Sequence, residues 1–412
     1  MRERKIEAAA EARRQPEQVE PSAEARRQSG RPESPAEARR QPEQVEPSAE
    51  SRKQSGRPEP SADARRPVGK PVYVELAMRC TMEELWRHTQ QPERHERWDL
   101  RFSSIRYLPR EEGEAQRFLY TTRIGFGLAI RGSGATRERT GSDGVRVSAL
   151  QFQSPQRLSL IRSGAGFWRY EPGERPGELR FLTRYTYSTR FGASGRLLDR
   201  FVFRPLMGWA TAWSFDRLRL WLEKGWAPEL TLRLALVYAV SLALLSGLWL
   251  YEGLVPKLLL PSSEELRLLH GLGFSPEAAR MSLAALGLGE AALGAALLLG
   301  RSARLLRWQG VLLAALAAGA LISRPEQLAE PFSALTLTLP MLGLSAAALL
   351  AQPFVPRAGR CRRQPPSASE AARRRADADS PLRSRSGADG SHGAADIPLD
   401  FERSLFDDPS SR

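Results

Sequence analysis

Between Leu234 and Pro356 the chain holds four stretches almost free of charge: Leu234 to Tyr251, Met281 to Gly300, Trp308 to Ser323 and Pro331 to Pro356. Each approaches the ~20 residues that a helix needs to cross a hydrocarbon core of about 30 Å. They predict four transmembrane helices, with the run Trp249 to Lys257 marking where the first span meets a polar boundary and the chain turns back.

The mean hydropathy of −0.40 looks wrong for such a protein until the ends of its 412 residues are set aside. Residues 1–69 and 355–412 are rich in Arg, Glu, Pro, Ser and Ala. Tails of that composition bury too little apolar surface to offset chain entropy, and both are expected to be disordered. In the first tail Glu11-Ala-Arg-Arg-Gln recurs at Glu24 and Glu37, then as Glu50-Ser-Arg-Lys-Gln and Asp63-Ala-Arg-Arg-Pro, with prolines in between. These units lack the hydrophobic face that stacking repeats require. The formal charge of +14 fits attraction to an anionic leaflet, worth ~1 kcal/mol per basic residue near the surface, better than nucleic-acid binding. Cys80 and Cys361 lie far apart, which rules out a Cys-x-x-Cys pair or a disulfide framework and fits a reducing compartment. The first residues carry charge without an apolar core of signal-peptide length, so insertion is expected to rely on the internal helices.

Order is expected from Lys70. Val72 to Met78 alternates as a strand, Thr81-Met-Glu-Glu84 caps a short helix reaching Gln90, and Pro92 opens a second helix to Trp98. Six β-rich stretches follow, at 102–108, 116–124, 127–139, 144–153, 157–163 and 178–187, separated by turn signals that predict an antiparallel sheet. In the last, Leu179, Phe181, Thr183, Tyr185 and Tyr187 share one face, and Arg180, Arg184 and Thr186 lie on the wet one. Phe203 to Lys224 then reads as a long amphipathic helix, with Leu206, Ala210, Trp213 and Leu220 on its apolar side.

Strand, two helices, six strands and a long helix, with the segment Glu93-Arg-His-Glu-Arg-Trp-Asp99 before the second strand, resemble the SRPBCC superfamily, the START-like, polyketide-cyclase and lipid-transport group. The resemblance covers residues 70–226 and implies an α+β helix-grip fold around an apolar cavity. Phe181, Tyr185, Trp209 and Trp213 would then line that cavity, or would be ordinary core residues.

In the membrane block, residues 230–354, Arg301, Arg304 and Arg307 crowd one short loop, which the positive-inside rule makes cytoplasmic. Both termini then fall inside, in agreement with Arg217, Arg219, Lys224 and Arg233 before the first span and Arg357 to Arg363 after the last. Trp226, Trp249, Tyr251 and Trp308 stand where an aromatic belt belongs. Gly287, Ala291 and Ala295, and again Ala315 and Gly319, offer small-residue faces for close helix contact. Tyr251-Glu-Gly-Leu-Val-Pro-Lys257, the segment Pro261 to Ser275, Gly289-Glu290 and Glu330-Pro-Phe332 resemble the DoxX-like family of four-helix membrane proteins. That resemblance implies a multi-pass protein of the bacterial inner membrane and a link to quinol oxidoreductases.

Glu290 lies mid-span, where an isolated charge costs at least ~2.5 kcal/mol, so it should face the bundle and be protonated or paired. Glu252 closes the first span, five residues before Lys257. Glu290 and Glu252 are the candidate catalytic acids, Glu290 as a proton or quinone-headgroup partner; as plain structure, Glu290 is a hydrogen-bonding post between helices. None of His88, His95, His270 and His392 falls within a span, so no pair of them can ligate a membrane haem, and no Gly-x-Gly-x-x-Gly or P-loop occurs. No intrinsic cofactor or metal is expected; a quinone could diffuse in. Two readings remain: a membrane-tethered module that binds or transfers a hydrophobic ligand such as a lipid, isoprenoid or quinone, or a non-haem subunit of a quinol-linked oxidoreductase with redox partner proteins.

Overall fold

The computed structural model describes residues 69–141, 144–271, 273–300, 302–323, 325–329, 334–370 and 372. The repeats of residues 11–67 lie outside them. All the described residues belong to one compact unit.

The N-terminal layer follows the expected order: β1 (Val72–Arg79), α1 (Met82–Gln90), α2 (Pro92–Trp98), β2 (Ser104–Tyr107), β3 (Gln116–Gly125), β4 (Leu128–Thr140), β5 (Arg146–Gln153), β6 (Ile161–Pro172) and β7 (Glu178–Thr189). A short helix α3 (Gly192–Leu198) and a wide turn, Asp199–Phe203, lead into α4 (Arg204–Lys224). Thr81 starts α1 with a complete capping box: its side chain accepts from the Glu84 amide while the Glu84 carboxylate accepts from the Thr81 amide. The strands make one antiparallel sheet in the order β1-β7-β6-β5-β4-β3-β2. Val74, Leu76, Met78, Trp168, Tyr170 and Phe181 from its inner face pack on Ala212, Trp213, Phe215 and Leu218 of α4. A curved sheet gripping one long helix is the helix-grip architecture.

Three local expectations need correction. The strand expected at 157–163 starts only at Ile161 and runs to Pro172. Gly164 and Gly166 sit where the Phe152 ring and the Tyr185 side chain occupy the space a Cβ would take. The outer face of β7 is not simply wet, because Leu182 is buried with Tyr73 and Phe167 in a second, smaller cluster. On α4, Leu206 is exposed, whereas Arg217 and Arg219 are buried. Arg217 donates Nε and Nη2 to the carbonyl of Pro228 at 3.0 and 2.7 Å, and Arg219 pairs with Asp216 at 2.7 Å and Glu223 at 2.7 Å. Those two cations are therefore spent inside the protein and are not available to lipid.

Gly225, at φ 68°, ends α4 in the left-handed conformation, and Pro228 opens the next helix. The C-terminal helices are α5 (Pro228–Gly253, continued as a wide turn to Leu259), α6 (Ser263–Gly271), α7 (Pro276–Leu299), α8 (Ala303–Ser323) and α9 (Ala334–Ala351). Among the described residues three segments are long and apolar enough to cross a membrane: Pro228–Leu259, Pro276–Leu299 and Leu335–Arg360. The helix α8, 21 residues long, completes a bundle whose core holds Tyr238, Leu242, Leu245, Trp249, Leu297, Leu306, Leu313 and Met341. Leu236, Val240, Leu288, Val311, Leu316, Leu339 and Leu350 point outward, an apolar exterior that suits lipid and not water.

Gly253 and Gly287 face each other across α5 and α7, each leaving no room for a side chain on the other. Ser246 Oγ donates to the Gly294 carbonyl at 2.7 Å in the same seam. Gly319 meets nothing and Ala315 is exposed, so the small-residue face expected on α8 is not a helix contact. Trp249 belongs to no aromatic belt: it is buried, its Nε1 donating to Gln309 Oε1 at 3.0 Å.

The tail expected to be disordered from residue 355 is instead ordered to residue 370. Beyond α9 the chain returns to the sheet. Phe354 packs on Trp226 with ring centroids 4.3 Å apart, and the Arg357 amide donates to Asp216 Oδ2 at 2.7 Å. Cys361 is buried against α4, and Arg362 exchanges two backbone hydrogen bonds of 2.9 Å with Glu75 on the edge strand β1. Composition hides this because the burial comes from a few residues, Val355, Pro356, Ala358 and Cys361, among arginines. The strap ties the helix-grip layer to the C-terminal end of α9 and caps an edge strand. A chain ending after Phe354 should lose about 2–4 kcal/mol of helix-grip stability, from the lost burial and hydrogen bonds. A thermal midpoint in detergent, read by tryptophan fluorescence, checks this; an unchanged midpoint would show that the strap only lies alongside.

Candidate functional site

The side chains expected to line a cavity take different roles. Phe181 is 0% exposed, stacked between the rings of Tyr170 at 4.9 Å and Phe215 at 4.4 Å. Trp213 is buried beside Trp209, with centroids 6.3 Å apart, while Trp209 itself is 39% exposed. Tyr185 is buried and shares a 3.0 Å hydrogen bond with Thr211 of α4. Beneath the C-terminal half of α4 the interior is solid aromatic packing.

A buried polar node sits where that packing ends. Arg101 donates Nε to Asp99 Oδ1 at 2.9 Å and Nη2 to Oδ2 at 2.6 Å, and His95 Nε2 donates to the same carboxylate at 3.1 Å. The Asp99 side chain is 0% exposed. Burial alone would raise its pKa, but Arg101, followed by the His95 hydrogen bond, holds it far below the usual carboxylate range. Burial depresses His95, leaving it neutral at pH 7. The Arg101 guanidinium lies 5.6 Å from the ring centroids of both Phe102 and Tyr185, and the His95 ring packs against Trp98, Phe102 and Trp168.

From this node an aromatic row runs across the inner face of β3, β4 and β5. Phe102 meets Tyr120 at 5.6 Å, Tyr120 meets Phe118 at 6.3 Å, and Phe152 meets Tyr185 at 6.4 Å. Tyr120 lies over Gly132, Phe118 over Gly134 and Phe152 over Gly164, so glycine strands form the floor on which the rings lie flat. The register Phe118↔Gly134↔Phe152↔Gly164↔Tyr187 places the row on the face that α4 covers farther along. Phe102, Tyr120, Leu150 and Phe152 are only half-buried there. Burial still pushes the Tyr120 hydroxyl up to about 12, so it is a neutral hydrogen-bonding group. Arg101, Tyr120 and Phe152 escaped the sequence reading; the usable signal was aromatic residues set opposite alternate glycines on neighbouring strands.

In the bundle, Lys257 gathers the acids. Its Nζ lies 3.0 Å from Glu290 Oε2 and 3.5 Å from Glu265 Oε1, and it donates to the Glu252 carbonyl at 3.3 Å. Lys257 is buried, and Glu290 is largely so. Glu290 therefore faces the bundle as a paired ion, Glu252 contributes its backbone, and Glu265 of α6 is a member the sequence reading missed. Gly253 and Gly287 permit this, since any side chain there would separate α5 from α7.

An apolar-surfaced helix bundle with a helix-grip layer strapped to it defines a membrane protein. Residues 246–346 match the family described as the DoxX-like family. The chain is 48% identical over 187 residues to the uncharacterised membrane protein YndG of Bacillus subtilis (strain 168), covering 45% of this chain and 69% of that one. The chain belongs to the DoxX-like family. The helix-grip layer is similar to the solved STAR-related lipid transfer protein fragment from Xanthomonas axonopodis, at 14% identity over 39% of this chain and 90% of that one, with a TM-score of 0.30. It is similar also to a START superfamily protein from Mycobacterium smegmatis, at 14% identity over 38% of this chain and 100% of that one, with a TM-score of 0.28.

Proposed function

We propose that the protein is a membrane-tethered binding module whose helix-grip layer takes an apolar ligand, such as a lipid, isoprenoid or quinone, on the inner face of β3 to β5. The observation that carries the proposal is the half-buried row Phe102, Tyr120 and Phe152 on a glycine floor, on the sheet face that α4 grips and with Trp209 of α4 itself partly exposed. Rings that are neither buried nor needed to hold α4 present a flat apolar surface of the kind that lines ligand clefts. Arg101 and the Tyr120 hydroxyl are polar groups within the same row and could orient a headgroup.

The bundle would anchor this layer by four crossings with both termini cytoplasmic, a reading supported by the exposed Arg304 and Arg307 within the turn before the exposed Trp308. The second reading, a non-haem oxidoreductase subunit, draws its support from the Lys257–Glu290 pair.

Mass spectrometry of the detergent-purified protein should find a co-purifying apolar small molecule. Trp209→Ala removes a ring already 39% exposed, so it should leave the thermal midpoint within a degree or two while cutting the retained ligand several-fold. Retention equal to that of the parent protein would move the site away from this face.

A further inference from the structure

The end of the sheet where α4 begins carries a second surface. The β3–β4 hairpin tip, the β5–β6 loop and the α3 region all lie at this end, since Gly125 pairs with Leu128, Ser133 with Gln153 and Ile161 with Thr189. Ile124, Phe126, Leu128, Leu158, Phe191, Leu198, Phe201 and Val202 are all exposed at this end.

Two of these residues are in conformations that only a strong reason would retain. Phe126, at φ 50°, and Phe191, at φ 67°, are the two non-glycine residues with positive φ among the described residues. Phe126 sits with Gly127, φ 75°, at the two centre positions of a tight hairpin, where Asn or Gly fits best. Its side chain is 104% exposed and therefore adds nothing to packing within the domain.

The charge at this end has one sign. Arg123, Arg131, Arg157, Arg196 and Arg200 are exposed around the apolar residues, and none is in an ion pair among the described residues. Across residues 116–137, 153–170 and 184–210 the sole acidic side chain is Asp199, which is buried and held by Tyr187 at 2.6 Å and Arg204 at 2.7 Å. The acids of this layer gather at the other end, Glu111, Glu112 and Glu114 after β2 and Glu174 and Glu178 beside β7.

We propose that this tip docks on the surface of an anionic bilayer, with Phe126 and Phe191 entering the headgroup region and the arginines meeting lipid phosphates. A protein partner would need its own acidic, apolar complement; a bilayer supplies both at any lateral position, which suits a contact spread over three separate loops. The α4 helix runs 21 residues, about 31 Å, from this tip before the chain enters α5, so the tip is a contact separate from the bundle's own anchoring. The proposal stands independently of whether the aromatic row holds a ligand.

The full chain in phosphatidylcholine nanodiscs should co-float with vesicles containing phosphatidylglycerol and not with pure phosphatidylcholine vesicles, the association weakening with salt. A solvatochromic dye on Ser194→Cys, an exposed α3 position at the same end, in nanodiscs with and without phosphatidylglycerol and no vesicles, reads contact with the protein's own bilayer instead. Phe126→Asn is the diagnostic variant, because it suits the turn: the thermal midpoint should hold or rise while docking falls several-fold. Arg157→Ser and Arg200→Ser should each cost roughly fivefold. Anionic-lipid dependence in either arm, lost in Phe126→Asn, supports the proposal. Absence of such dependence in both arms, or docking by Phe126→Asn equal to that of the parent, would overturn it.

Discussion

Replacing Asp99 with alanine is expected to cost the helix-grip layer about 3–5 kcal/mol, the scale for removing one partner of a buried ion pair. Arg101 would keep a buried guanidinium with neither of its two carboxylate bonds, and His95 would lose its partner. Urea unfolding of the detergent-solubilised protein, followed by tryptophan fluorescence, measures this, because Trp98 and Trp168 pack directly on His95. A loss under 1 kcal/mol would mean that water reaches Arg101 freely. The pH dependence has a definite sign. The folded pKa of Asp99 is depressed, so its contribution is fully present above the unfolded value of roughly 4 and is lost as pH falls below that. His95 is also depressed, so below about 6.5 the unfolded state takes up a proton that the folded state refuses. Stability should therefore decline in two stages on acidification, and Asp99→Ala should abolish the second.

In the bundle, Glu290→Leu should destabilise by roughly 3 kcal/mol, since Lys257 loses its 3.0 Å partner and retains Glu265 at 3.5 Å as its carboxylate and the Glu252 carbonyl at 3.3 Å. Lys257→Met combined with Glu290→Leu should recover much of that loss, because two apolar side chains need no mutual compensation there. Glu290→Gln separates structure from chemistry. A side chain that only bridges α5 and α7 should tolerate Gln with normal function, whereas one that exchanges protons should lose function at an unchanged thermal midpoint. Normal activity of the Gln variant would leave the binding reading ahead; a double variant no more stable than Glu290→Leu would show that the ion pair is not the source of the cost.

The elements were legible from the chain because their signals are local. The capping box at Thr81, the alternation in β7, Gly225 closing α4 and the charge-poor stretches that form the helices α5, α7, α8 and α9 each state their secondary structure within a few residues. A helix-grip layer followed by a membrane bundle needs little more than their order. Long-range packing decided the rest. Whether Trp249 meets lipid or Gln309 depends on which way α5 is turned against α8, and apolar composition on all sides of a span gives no such preference. That Cys361 and Arg362 complete the sheet edge depends on α9 delivering them there, since nothing in an arginine-rich stretch announces a partner some 290 residues earlier by the numbering of Glu75 and Arg362. The Asp99–Arg101 node, the aromatic row on its glycine floor and the Lys257–Glu290 pair likewise join residues whose neighbours in space are set by strand register and helix contact. The chain's own periodicity says which face a residue is on; only the assembled layers say what that face meets.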